Sequence, residues 1–336
     1  MKKNTSILLC LAALAVVGCD KGANPGAEHS AALVFSARNV QTKAVFSSDD
    51  DGTLEWSSYD NLGVYSFDAE SSDFIHEGFA SMLSFSGSEA FFTSADARAD
   101  WAGEAASVKF YAYYPQINSP QASYDGGNVA LTVPAVQNGE FGRYHICWAE
   151  TDEFSKEQLL DDEEVNFYFQ PKTSMLRVRP VLTADSDVEQ LVIKQLIIKI
   201  ADDKTLAGDA SLALMDGELS VTGGVSSISV TLPSPAVITK TAADNPYITA
   251  VILPDVTDGA ILSFEAIGVD GTSYTMQGKT SPASFSAGVR YNIDRNITVE
   301  ITALGSPDSQ YINAGNGWPA EEVEEDGAYT DGGIAW

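Results

Sequence analysis

The sequence predicts an all-β protein of two tandem antiparallel domains, and three observations support this fold class. Short runs rich in Val, Ile, Tyr and Phe recur from about residue 31 to residue 301, separated by Gly, Asp, Asn, Ser and Pro. Several of these runs alternate apolar and polar side chains, as a strand with one buried face requires. The chain of 336 residues, 44% of them hydrophobic, is long enough to form two cores of ordinary size.

Residues 1–18 have the composition of a bacterial lipoprotein signal peptide. Lys2 and Lys3 precede an apolar run over residues 7–17, which is too short to span a bilayer as a helix. Cys19 stands where a lipoprotein signal peptidase would cleave, after a diacylglycerol had been attached to its thiol. We therefore predict lipidation of Cys19. The alternatives are an ordinary signal peptide with an incidental cysteine and a short anchor that is never cut.

The composition of the mature chain excludes some partners and stabilising bonds. Residues 19–30 are polar and poor in core-forming side chains, which suits a flexible tether. The chain has 47 acidic and 19 basic residues, and without the two signal lysines its net charge is −30. Such a surface repels polyanions, so nucleic acid is excluded as a partner. Cys10 leaves with the signal and Cys19 is predicted to be lipidated, so Cys147 has no intrachain disulfide partner and is expected to be a small buried residue.

The first domain is predicted over residues 31–163 and the second over residues 164–303. Strands in the first half of the chain are predicted at 62–67, 82–86, 108–114, 129–133, 165–169 and 175–182. Strands in the second half are predicted at 191–200, 206–214, 225–232, 247–253, 261–269, 273–277 and 289–301. In the run over 175–179, alternation directs Leu176 and Val178 to the core, whereas Arg177 and Arg179 face water.

Two polar stretches separate and follow these domains. Residues 152–164 are acidic and have little to pack, so we expect a short helix or a loop there, and the domain boundary beside it. After residue 303 Gly, Pro, Asp and Glu dominate, so residues 304–336 are interpreted as a separate C-terminal segment.

No catalytic or metal-binding pattern stands out, so we predict no enzyme activity, no cofactor and no metal site. His76 and His145 are the only histidines in the predicted domains. The run Asp49-Asp50-Asp51-Gly52 lacks the ligand spacing of an EF-hand and fits a hairpin tip better. Several aromatic side chains could stack on sugars if they were exposed in a row, but on alternating strands they are more often core residues: Trp101, Tyr111, Tyr113, Tyr114 and Trp318.

Several short motifs resemble, in order, those of the fimbrillin family, the two-domain β-sandwich subunits of type V pili in Bacteroidales. The most specific is Phe110-Tyr111-Ala112-Tyr113-Tyr114-Pro115, which resembles the family's aromatic-Ala-aromatic-Tyr-Pro motif. The others are Thr42-Lys43-Ala44 with Trp56, Asn61-Leu62-Gly63-Val64-Tyr65, Val133-Pro134-Ala135-Val136-Gln137 and the Gly-x-x-Tyr of Gly288 to Tyr291. The sequence departs from the family at Asn61, where many relatives carry Asp, and at Lys43, where many carry Arg. The resemblance implies two tandem Greek-key, transthyretin-like sandwiches.

The resemblance also implies assembly by strand exchange. Family subunits are exported as lipoproteins, and a protease then cuts after a basic residue and removes the first strand. In this sequence Leu33, Phe35 and Ala37 alternate on a candidate first strand, and Lys43, or otherwise Arg38, is the implied cut site. The alternative is that neither residue is a processing site and that both are exposed turn residues that are never cut.

The partners and location follow from the same resemblance. A strand from the next subunit would fill the vacated groove, and Ile334 and Trp336 alternate correctly for such a donor, although glycines interrupt the segment. Other pilus subunits are the implied partners, with a surface-exposed outer-membrane lipoprotein before processing and a fimbrium afterwards. The alternative function is a lipid-anchored glycan-binding protein of the outer surface.

Overall fold

The computed structural model describes residues 32–39, 56, 58–86, 89–116, 127–139, 141–161, 164–201, 204–254, 261–280, 285–303, 310–314 and 334–335. Strands dominate these ranges, so the predicted all-β class is confirmed. The signal, the tether, Lys43, the run at 49–52, Trp318 and Trp336 lie outside them. None of the helices in the described ranges has the length and apolarity needed to cross a membrane.

The strands of the first half of the chain are β1 (Ala32–Asn39), β2 (Asn61–Asp68), β3 (Phe74–Ser86), β4 (Glu89–Ala97), β5 (Ser107–Tyr114), β6 (Asn128–Val133), β7 (Val136–Gln137), β8 (Cys147–Glu150), β9 (Phe154–Ser155), β10 (Val165–Pro171) and β11 (Ser174–Leu182). The second half contains β12 (Gln190–Ile200), β13 (Ala207–Ala213), β14 (Leu219–Val225), β15 (Ser227–Thr239), β16 (Ile248–Ile252), β17 (Leu262–Gly268), β18 (Ser273–Thr280), β19 (Val289–Ile297), β20 (Val299–Ala303), β21 (Gln310–Ala314) and β22 (Ile334–Ala335). The helices are α1 (Arg98–Ala102), α2 (Lys156–Leu160) and the 3-10 turns Phe141–Tyr144 and Ala242–Asp244.

The first large sheet closes on itself. Its order is β2-β3-β4-β1-β10-β8-β5, and β5 also pairs with β2, so seven strands form a ring. We call this the first ring; β9 is attached to it through β5. Its interior is an aromatic cluster whose largest fully buried members are Phe35, Phe92, Trp101, Phe110, Phe167 and Phe169. The short helix α2 lies within the acidic stretch where at most a short helix was predicted.

The second large sheet has the order β16-β11-β19-β18-β17-β12-β15-β7, and β22 pairs with β19. Its core is mainly aliphatic, with residues such as Leu176, Ile198 and Ile252 fully buried. Two smaller sheets accompany it, of order β14-β13-β6 and β20-β21.

The two halves share strands across the chain position expected to divide them. β10 begins after residue 163 but lies in the first ring, whereas β6 and β7 precede that position and pair with β13 and β15. Trp148 links the halves further, because its indole nitrogen donates a hydrogen bond of 2.7 Å to the carbonyl of Leu214. The ammonium of Lys172 lies 4.7 Å from the same ring.

The prediction that Arg177 faces water is wrong. Only 8% of the residue is exposed, because the ring of Tyr247 covers its guanidinium at 4.4 Å. Arg179, two residues on, lies 4.7 Å from the same ring and is partly exposed beside Asp294. The ring of Tyr247, next to the neighbouring strand β16, thus covers part of the outer face of β11, and simple alternation cannot show this.

Candidate functional site

The first strand is held by backbone pairs on both of its edges. β1 runs antiparallel to β4, from Ala32 opposite Ala97 to Arg38 opposite Glu89. On the other edge it runs parallel to β10, from Phe35 opposite Val165 to Asn39 opposite Phe169. β1 is therefore the strand that joins β4 to β10 and completes the first ring.

The inner face of β1 carries the three side chains predicted from the alternation. Leu33, Phe35 and Ala37 are fully buried. The ring of Phe35 lies 5.5 Å from that of Trp101 and 5.7 Å from that of Phe167, measured between centroids. β1 thus fills an apolar trench that its neighbours line.

The outer face of β1 is polar towards its end. The hydroxyl of Ser36 donates to the side-chain oxygen of Asn166 at 2.5 Å. Arg38 donates from Nε to Oε1 of Glu89 at 2.7 Å, and this hydrogen bond raises the pKa of Arg38. Because Arg38 is paired through its backbone with Glu89 and Tyr168, the structure places it inside a ladder and not in a turn.

The most specific motif of the sequence is β5 and the residue after it, and this strand serves both cores. Phe110, Ala112 and Tyr114 belong to the core of the first ring. Tyr111 and Tyr113 point to the opposite face and join the second core. The aromatic residues of this motif therefore pack into a core on each face of β5.

The Leu-Gly-Val-Tyr motif on β2 is explained by the same strand. Gly63 lies opposite Tyr113, and a Cβ atom at Gly63 would come within 1.9 Å of the tyrosine ring. Tyr114 donates its hydroxyl to Asp60 at 2.9 Å. The glycine is required by the close approach of an aromatic ring.

Four of the five aromatic residues considered as a sugar platform are buried, as expected for core residues. Trp101, Tyr111, Tyr113 and Tyr114 expose at most 5% of their surface, and Trp318 lies outside the described residues. None of the four presents a ring face to solvent on which a sugar could stack.

The glutamine of the Pro-x-x-Gln motif completes the edge of a strand. Gln137 is fully buried, and its amide donates to the carbonyl of Val251 at 2.8 Å. Its Oε1 accepts from the backbone nitrogen of Val251 at 2.9 Å. One side chain thus supplies the donor and acceptor that a neighbouring strand would supply to β16.

The two histidines and the cysteine of the described residues have separate environments and different neighbours. His145 is fully buried with Nδ1 2.6 Å from the hydroxyl of Thr173, and burial lowers its pKa to about 3. His76 lies 3.4 Å from Asp96 and against the edge of Trp101. Cys147 is buried as predicted, which raises the pKa of its thiol. Within the described ranges, no group of three or more His, Cys, Asp or Glu residues is arranged to hold a metal ion.

The C-terminal strand lies on the second sheet of its own chain. β22 runs antiparallel to β19, with Ala335 opposite Val289 and Ile334 opposite Arg290. The donor candidate Ile334 is therefore part of a ladder, and Trp336 lies outside the described residues.

The described strands define an all-β protein whose first large sheet closes through an N-terminal strand inserted between two others. The family described as fimbrillin-like matches residues 42–307, and the chain belongs to this family. Fimbrillin-like proteins are structural proteins of fimbriae and not enzymes. No curated protein sequence matches the chain.

The chain is also similar to several solved structures. A candidate cell adhesion protein of Bacteroides uniformis ATCC 8492 is 17% identical with a TM-score of 0.50, over 87% of this chain and 99% of the other. A fimbrial assembly protein of Parabacteroides distasonis ATCC 8503 is 11% identical with a TM-score of 0.45, over 79% and 91%. The fimbrial anchor protein Mfa2 of Porphyromonas gingivalis is 9% identical with a TM-score of 0.36, over 84% and 98%.

Proposed function

We propose that this chain is a structural subunit of a cell-surface fimbrium that serves adhesion and polymerises by strand exchange. It is exported as a lipoprotein through Cys19, reaches the outer membrane, and leaves its anchor when β1 is removed. Its two tandem domains are Greek-key, transthyretin-like sandwiches, and its partners are other fimbrial subunits. The observation that carries the proposal is the position of β1, which is N-terminal, fully buried on one face and paired on both edges.

Removal of β1 would create a specific acceptor. The facing edges of β4 and β10 would lose their backbone partners, and the trench occupied by Phe35 would be open to water. Unpaired backbone groups and an apolar trench are what an added strand with alternating apolar residues satisfies. Any strand with the pattern of Leu33, Phe35 and Ala37 could take this place.

The same contacts explain why cleavage and exchange are separate steps. Burial of side chains such as Leu33 and Phe35 stabilises the strand by about 1.5–3 kcal/mol each. Each backbone hydrogen bond adds about 1 kcal/mol net. A cut after β1 therefore leaves the strand bound until an incoming strand displaces it.

Lys43 is the favoured cleavage site and Arg38 the second choice. A protease binds an extended segment with free backbone groups, which exposed loops provide more readily than strands. Arg38 is paired on both edges within β1. The donor strand belongs to the C-terminal segment, with Ile334 and Trp336 as its apolar positions, and β22 must leave β19 for Ile334 to act in another subunit.

Native trypsin digestion of the mature chain tests this function. We expect cleavage after Lys43, retention of β1 in native mass spectrometry, and SDS-resistant ladders once the protein is concentrated. Lys43→Gln should suppress the ladder, whereas the matched variant Arg38→Gln should still form it. A chain that loses β1 and stays monomeric at high concentration would contradict the proposal.

A further inference from the structure

One of the two small sheets ends in a strand that is paired on one edge only. The sheet has the order β14-β13-β6, and β14 pairs with β13 from Leu219 to Val225. Within the described part of the chain, no strand lies along the other edge of β14. Every residue of β14 is half-buried or exposed, so this edge is accessible to another chain.

The hairpin between β13 and β14 fixes which backbone groups point to the free edge. The carbonyl of Glu218 accepts a hydrogen bond from the backbone nitrogen of Ala213 on β13. Because successive residues of a strand direct their backbone groups to opposite edges, the N–H and C=O groups of Leu219 and Val221 point away from β13. These donors and acceptors are satisfied when another strand pairs with the edge.

β14 lacks the residues that usually block pairing at a free edge. Its sequence, Leu-Ser-Val-Thr-Gly-Gly-Val, contains neither a charged residue nor a proline. The next strand, β15, differs, because it carries Pro233 and Pro235 beyond Val230, where its pairing with β7 ends. Prolines offer no N–H group and charged side chains repel a neighbouring strand, and natural sheets use both at their edges. The edge of β14 is therefore open to pairing.

Charge and sequence symmetry favour a second copy of the chain as the partner. With 47 acidic and 19 basic residues, two copies repel one another over most of their surface, whereas their β14 strands are uncharged. In an antiparallel pair with Ser220 opposite Ser220, Leu219 of each copy lies opposite Val221 of the other, and their outward-facing backbone groups bond. Glu218 then lies opposite Thr222 and not opposite the other Glu218.

We propose that β14 is a docking edge at which two copies of this chain pair antiparallel about Ser220, joining two three-stranded sheets into one. The interface is isologous, because the same edge serves both copies. It is independent of strand exchange at β1, since both chains are intact and neither gives up a strand.

Disulfide formation at single cysteines tests the pairing and its register. Ser220→Cys is introduced into the full mature chain with Cys19→Ser, so that the buried Cys147 is the only other thiol. The two Cα atoms of residue 220 would lie about 4.5 Å apart, within reach of a disulfide, and we expect covalent dimers on mild oxidation. The matched variant Thr222→Cys should stay monomeric, because its two copies would lie about 14 Å apart. Equal cross-linking of both variants, or none of Ser220→Cys, would overturn the proposal.

Sedimentation of the chain without added cysteines tests the pairing in the absence of a covalent bond. We expect a concentration-dependent dimer that salt strengthens, because salt screens the repulsion between two acidic chains. Val221→Pro should abolish the dimer and retain the melting temperature, since it removes an N–H group that points away from β13. The control Val221→Thr keeps that N–H group and should still dimerise. A chain that is monomeric at every concentration, or an undiminished dimer in Val221→Pro, would rule out this edge.

Discussion

The two large sheets close in different ways. In the first ring every junction is a ladder of backbone pairs, and the N-terminal strand β1 supplies two of them. In the second sheet, the described residues of β18 and β19 meet at one pair, Gln277 with Asn296. The end strands β7 and β16 of that sheet are joined through the side chain of Gln137.

The two sheets therefore protect the backbone groups at their strand edges in different ways. The first ring leaves no free edge at β1, but its closure depends on a terminal strand that one cut can detach. The second sheet is closed by isolated contacts, and each contact depends on one residue. Damage to β1 should therefore affect a whole sheet, whereas damage in the second sheet should stay local.

The largest effect is expected from Phe35→Ala. The ring of Phe35 is fully buried against Trp101 and Phe167, and its loss should cost about 3–5 kcal/mol of unfolding free energy. Chemical denaturation of the full chain measures this cost. Phe79→Ala, at a residue that is 53% exposed on β3, is the matched control and should change stability by less than about 0.5 kcal/mol. Equal effects would show that β1 is not integral to the first core.

Gln137→Met tests whether one side chain closes the second sheet. Met has a similar size but leaves the backbone N–H and C=O of Val251 unpaired, at a cost of about 1–3 kcal/mol for each group that stays buried. We expect a loss of about 2–4 kcal/mol in denaturation and faster amide hydrogen exchange at Val251. Gln190→Met, at an exposed position of β12, is the control. Unchanged exchange at Val251 would show that backbone contacts alone protect β16.

The sequence predicts several strands whose side chains alternate between apolar and polar. It misses strands that form because they pair with segments far away in the chain. The apolar positions of β1 and the bounds of β2 and β5 are close to the observed ones. β4 and β8 were not predicted, and β15 continues through Pro233 and Pro235 beyond the predicted end. The insertion of β1 between β4 and β10 joins residues far apart in the chain, which local periodicity cannot reveal.

The same limit applies to the candidate site. Glutamine in a Pro-x-x-Gln motif looks like a surface residue, and only the position of Val251 shows why it is buried. Sequence could supply the residues of the first strand, whereas the contacts that close each sheet required the structure.

Low pH should reduce the free energy of unfolding through protonation of His145. The pKa of His145 is about 3 in the folded chain and about 6.5 when unfolded, so the unfolded chain binds the extra proton between these values. Its contribution is complete above pH 6.5 and falls by about 1.4 kcal/mol per unit below it, or about 2 kcal/mol at pH 5. Comparison of denaturation at pH 7 and pH 5 with His145→Asn isolates this contribution. An identical pH dependence in both proteins would contradict it.

The smallest effect is expected where β1 ends. Glu89→Gln removes the charge that pairs with Arg38, but both side chains are largely solvated, so the loss of stability should be small and should shrink in salt. Because backbone pairs with β4 and β10 hold Arg38, trypsin should still cut after Lys43 before Arg38, as peptide mapping over time would show. Faster cleavage at Arg38 in Glu89→Gln would mean that the ion pair, and not the ladder, protects the end of β1. The first ring would then open from this end before any cut.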